Sequence, residues 1–135
     1  MKMMFEIKEP KMPQLTQKQR EFIKNSKFGI VATSKDNQPR ACILVCEEVE
    51  QEYVVFADIQ MRKTNLNILA NKKVFVSFYD ECLDYCMKCD GIAEYLVAGE
   101  IFEKLKAKLA SENLVVKAAI KITILNIREG TRNSV

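Results

Sequence analysis

Histidine and tryptophan are absent from this chain of 135 residues, and it holds only 4 glycines and 3 prolines. Without histidine there is no imidazole to relay protons, activate a nucleophile or ligate a metal. No apolar run approaches the length of a membrane span, so no membrane partner is expected. Residues 1–10 reach charges before any signal-peptide apolar core can form, which predicts a cytoplasmic protein. The 5 cysteines are odd in number, which argues against a simple disulfide framework and for reduced thiols. Basic residues outnumber acidic ones by 21 to 18, and the lysines are scattered. A net charge of +3 without a basic stripe excludes nucleic acid as the expected partner.

What remains is an ordinary globular composition, 48% hydrophobic, read as one domain over residues 1–135. Pro10 and Pro13 mark residues 1–14 as an extended arm. Thr16 and Gln19 have capping-box spacing, which predicts a helix to Ser26. Residues 28–34 and 39–46 read as strands around the turn chemistry of 35–38, a hairpin. The acidic stretch 47–52 reads as a solvated turn. Strands follow at 53–57, 73–79, 91–97 and 118–127, with helices at 64–70 and 99–111. Leu66, Leu69 and Ala70 are expected on the apolar side of the first of these helices, and Phe28, Phe56, Phe75 and Phe78 in the core. Residues 80–90 read as a polar, cysteine-rich loop, and 129–135 as a frayed tail. Six short strands with brief connections predict a mainly β, mostly antiparallel barrel or closed sheet with flanking helices.

The run from Phe56 to Leu66 carries the chemistry. A strand stops, Arg62, Lys63 and Thr64 arrive together, and a helix begins. No acid lies between Asp58 and Asp80. Cations are disfavoured in a first helical turn unless an anion sits there too. Exposed N–H groups, a bidentate guanidinium, an ammonium and a hydroxyl make a phosphate seat.

Three blocks resemble the FMN-binding split-barrel family related to pyridoxamine 5'-phosphate oxidase. They are the hairpin 29–41, the block 55–78 and the strand opening Gly91-Ile92-Ala93-Glu94-Tyr95, over a match of roughly 15–127. The resemblance implies a six-stranded antiparallel split β-barrel and a homodimer, with FMN bound in a groove at the subunit interface. It puts the FMN phosphate on Arg62, Lys63 and Thr64. It puts Ala57, Asp58 and Met61 beside the ring or ribityl chain, and Ala32, Thr33, Arg40, Ala41 and Cys42 along the flavin. Arg40 has two readings, an outward hairpin residue or a cation beside the flavin pyrimidine edge. True oxidases continue into a histidine-bearing C-terminal region. The resemblance is therefore to the small, generic members and not to the oxidase itself.

The function so implied is FMN-dependent oxidoreduction or electron transfer, with no residue assigned as catalytic acid, base or nucleophile. The alternative is a flavin or ligand carrier or sensor without turnover. Cys82, Cys86 and Cys89 offer a further reading, thiolate ligands of a metal-stabilised interaction domain, with Asp84, Asp90 or a partner-chain residue needed to complete the set. Cys42 and Cys46 lie four apart on one strand face, too far for an easy disulfide, and read as small buried hydrophobes.

Overall fold

A computed structural model describes residues 13–59, 63–82 and 84–131, the side chains of Lys63 and Thr64 excepted. Its elements are α1 (Gln17–Ser26), β1 (Phe28–Lys35), β2 (Gln38–Val49), β3 (Tyr53–Asp58), α2 (Lys63–Ala70), β4 (Lys73–Tyr79), β5 (Tyr85–Leu96), α3 (Glu100–Ala110) and β6 (Ala118–Thr131). All strand pairs are antiparallel, and the order β1-β2-β3-β6-β5-β4 closes through β1 and β4. The expected six-stranded antiparallel split barrel with flanking helices is what the chain forms.

Local chemistry sets several boundaries. The Gln19 main-chain N–H donates to Thr16 Oγ1 (3.1 Å), and the Gln19 side chain accepts from the Thr16 N–H (2.8 Å), closing the capping box of α1. Asp36 and Asn37 take φ of 51° and 62°, so β1 and β2 meet in a two-residue primed turn. Gly29 allows β1 to cross closely over two rings. A Cβ there would lie 2.9 Å from both Phe56 Cζ and Phe78 Cε1.

Alternation then sorts side chains. Val31, Phe56, Val76, Phe78, Met87 and Ile122 point inward and are fully buried. β3 and β6 are covered on their outer face too, where Phe102, Leu105 and Leu109 of α3 pack on Val55, Ala57 and Ala119. Each of those three α3 side chains contributes roughly 1.5–3 kcal/mol by its burial. Lys104 of α3 pairs with Glu48 at 2.8 Å and Lys108 with Glu47 at 3.5 Å. Glu47 and Glu48 are thus strand residues that anchor α3, not part of a solvated turn. A bulge between Cys46 and Glu48 accompanies this change of register. Helices close both ends of the barrel. Leu15 and Ile23, at and within α1, join the core at one end, and Ile68 of α2 joins it at the other.

Four other expectations change. β5 begins at Tyr85, so the segment read as a polar loop is largely strand. β6 pairs through Thr131 with Tyr85, so Glu129 begins no frayed tail. Phe28 is 47% exposed, and Phe75 is half-buried. Leu66 and Leu69 are 54% and 60% exposed, because α2 docks through its neighbours Asn67 and Ile68 instead. No helix among the described residues is long and apolar enough to cross a membrane.

Candidate functional site

The described sequence-marked cofactor residues fall on the β1–β2 hairpin, the end of β3 and the start of α2. Cys46 pairs with Phe56. Two residues further along the antiparallel ladder, Leu44 falls level with Asp58, where β3 ends. Arg40 to Ile43 therefore overshoot β3, on the side where β2 meets α2. Met61 and Arg62 lie outside the described residues. Lys63 and Thr64 open α2.

The hairpin residues divide between two faces. Ala32 pairs with Ala41 on the outer surface, beside the Ile30–Ile43 and Phe28–Val45 pairs. Ile43 and Val45 are 62% and 48% exposed, so this surface is apolar and open. Thr33, Arg40 and Cys42 take the opposite face. Thr33 is buried and accepts a hydrogen bond from Asn67 Nδ2 (3.1 Å). Cys42 is half-buried, with Sγ 3.9 Å from the Val31 carbonyl, while Arg40 is exposed. A strand's two-residue period forbids one ligand face from using the side chains of both Ala41 and Cys42.

Ala57 and Asp58 also differ from expectation. The Ala57 side chain is packed under α3. Asp58 is fully buried; its carboxyl accepts the Tyr95 hydroxyl, and its main-chain oxygen accepts the Lys117 N–H (2.8 Å). Both side chains hold the fold and do not open onto the rim. Burial pushes the Tyr95 phenol up, the bond to Asp58 pushes the same way, and the Asn65 side chain opposes them. Asn65 Oδ1 is buried without a hydrogen-bond partner. Asn71 Nδ2 donates to Ser34 Oγ (3.1 Å), tying the far end of α2 to β1.

Tyr95, Asn65 and Asn67 went unmarked in the sequence. Two asparagines in an eight-residue helix were the available signal, since Asn is a poor helix former and needs a reason to be there.

The cysteine motif comes apart. Cys86 and Cys89 lie three residues apart in β5 and so point to opposite faces, with Cys89 buried inside the barrel. Cys82 sits exposed in the preceding turn. No group of three metal-binding side chains converges among the described residues, and no disulfide links the five cysteines. Burial pushes the Cys46 and Cys89 thiols up to about 12.

Fold and rim define a class, a small split barrel whose sheet overshoots at one end beside the start of a short helix. The pyridoxamine 5'-phosphate oxidase family model matches residues 15–129, and the chain belongs to that family. An uncharacterized protein of Methanocaldococcus jannaschii is 33% identical over 127 residues, covering 86% of this chain and 83% of its own. HupZ of Group A Streptococcus superposes with a TM-score of 0.78 at 22% identity, over 87% of this chain and 94% of that one. An FMN-binding protein from Syntrophomonas wolfei superposes at 0.71 with 18% identity, over 83% of each chain.

Proposed function

We propose that this protein binds FMN at the α2 rim and serves as an FMN-dependent oxidoreductase or electron-transfer protein. The observation that carries the reading is the overshoot of Arg40–Ile43 past β3, on the side where β2 meets α2, the helix that opens at Lys63 and Thr64. An anion there offsets the cost of cations in a first helical turn. Asn65 Oδ1 adds to the fit, because a buried acceptor without a partner is satisfied by a donor such as a ribityl hydroxyl or a bridging water.

In this reading Arg62, Lys63 and Thr64 hold the phosphate. Met61 and the main chain at Ala57 and Asp58 border the cofactor, and Ala32 and Ala41 offer a flat apolar surface to its ring. Arg40 supplies positive charge at the rim. FMN itself supplies the redox chemistry, and the protein positions it and sets the local charge. The exposed pairs around Ile43 and Val45, with Leu66 and Leu69, suit burial against a second copy, which supports a homodimer with the cofactor between subunits. Thiols without a disulfide accord with a cytoplasmic location.

The test is uptake of FMN by purified, folded protein, read as a yellow complex that survives gel filtration. Arg62→Ala and Lys63→Ala are expected to weaken FMN more than riboflavin. A charged phosphate contact is worth about 1.5–3 kcal/mol, roughly 10–150-fold in affinity. Equal losses for both ligands place the phosphate elsewhere, and no uptake at all overturns the reading. Repeated reduction by NADH or NADPH and reoxidation separates an enzyme from a carrier or sensor.

A further inference from the structure

At the opposite end of the barrel, α1 reaches the start of β5 through Phe22 and Tyr85 and the end of β6 through Gln19 and Glu129. It leaves a recess of about 400 Å³ walled by Gln19, Phe22, Asp80, Tyr85 and Glu129. A second recess of about 620 Å³ adjoins it at Phe22 and Asp80 and continues past Phe28 and Tyr79. Together they fall in the size range of small-molecule sites. Tyr85 and Tyr95 stand ten residues apart along β5, roughly 30 Å at strand rise, so this recess is remote from the α2 rim.

Its walls are built, not incidental. The Phe22 and Tyr85 rings meet edge to face, with centroids 4.5 Å apart and planes at 85°. The Tyr85 hydroxyl donates to Glu129 Oε1 (2.6 Å), and Gln19 Nε2 donates to the same oxygen (2.9 Å). Oε2 is left without a partner among the described residues. The Tyr85 and Gln19 donors, with the Lys18 charge, outweigh burial and hold the Glu129 carboxyl below the usual carboxylate range, so it is ionised at neutral pH. Asp80 Oδ1 accepts the Asp84 N–H (2.9 Å), which fixes a second carboxylate on the rim. Lys18 shares the first wall and its charge already acts on Glu129, but among the described residues it forms no close ion pair with Glu129 or Asp80.

We propose that this recess binds a small organic cation, an ammonium or guanidinium carried on a flat apolar body. The cation pairs with Glu129 and Asp80, and the body lies against Phe22 and Tyr85. Asp80, Glu81 and Glu129 outnumber Lys18 and Lys27 around the two recesses, so charge favours the cation, and two aromatic walls favour it again through their negative faces. A neutral molecule of the same shape keeps only the apolar contact.

The experiment titrates the protein with 2-phenylethylammonium and with neutral 2-phenylethanol, followed by amide chemical shifts. The ammonium is expected to bind about tenfold or more tightly than the alcohol, a step of about 1.4 kcal/mol, with shifts centred on Phe22, Tyr85 and Glu129. Glu129→Gln retains an acceptor for Tyr85 and Gln19 while removing the charge, and is expected to erase that preference. Asp80→Asn, on the exposed turn, is expected to reduce it and serves if the first variant melts early. Equal affinity for both probes, no binding of either, or an unchanged preference in both variants overturns the proposal.

Discussion

Replacing Tyr95 by Phe removes one hydroxyl and leaves the ring in place against the core. That hydroxyl donates to Asp58, whose side chain has no exposed surface. Water cannot replace the lost donor there, and losing one hydrogen bond to a buried carboxyl costs about 1–3 kcal/mol. The same change at Tyr85 removes a 2.6 Å bond to Glu129, but that carboxylate is exposed and water takes over. Its cost is expected below about 1 kcal/mol. The two variants therefore share chemistry and partner type and differ in burial. Chemical denaturation followed by circular dichroism, at one fixed protein concentration, reads both differences. For a domain of this size, Tyr95→Phe should lower Tm by about 4–10 °C. FMN affinity should fall with it, because the bond pins the end of β3 from which the proposed phosphate seat departs. If Tyr95→Phe costs no more than Tyr85→Phe, burial does not set the strength of this pair, and the reasoning fails.

Gly91→Ala would place a Cβ 2.6 Å from Ile122 Cγ2 and 2.9 Å from the Thr123 carbonyl oxygen, where β5 and β6 change register. A backbone atom cannot step aside, so a loss of about 1–3 kcal/mol or more in denaturation is expected; a neutral result would show that the barrel wall yields there. Thiol alkylation tests the cysteine geometry. Burial pushes Cys46 and Cys89 up to about 12, so little thiolate forms at pH 8 and both should react only after unfolding, whereas exposed Cys82 reacts first. Site-resolved mass spectrometry showing Cys89 modified as fast as Cys82 would contradict its place inside the barrel.

The parts of the fold written in short-range chemistry were legible. Thr16 with Gln19 and Asp36 with Asn37 each act within a few residues, and both behave as their residue types predict. β5 runs longer than expected for a different reason. Met87, Cys89, Gly91 and Ala93 alternate with Lys88 and Asp90 in strand fashion, a pattern that the metal-like cysteine spacing overlies. The Leu66–Leu69 stripe shows a limit of periodicity, which finds an apolar face without saying what covers it. Asp58 and Tyr95 lie 37 residues apart, and their bond depends on β3 and β5 both flanking β6. No local pattern reports such a contact. Charge alone marks the proposed phosphate seat, and the overshoot of β2 past β3 is a feature that no charge pattern reports.

β6 is the seam of the barrel, paired along one edge with β3 and along the other with β5, and covered by α3. Until it arrives, β3 and β5 present unpaired edges, and two greasy faces stand open. During synthesis the barrel therefore has to wait for nearly all of its residues before it can shut. The helices and the first hairpin can form early from neighbours in sequence, whereas closure joins distant segments and is the slow step. A ribosome stalled before residue 118 would hold a sticky half-barrel, which makes the arrival of β6 the moment at which the exposed edges are covered.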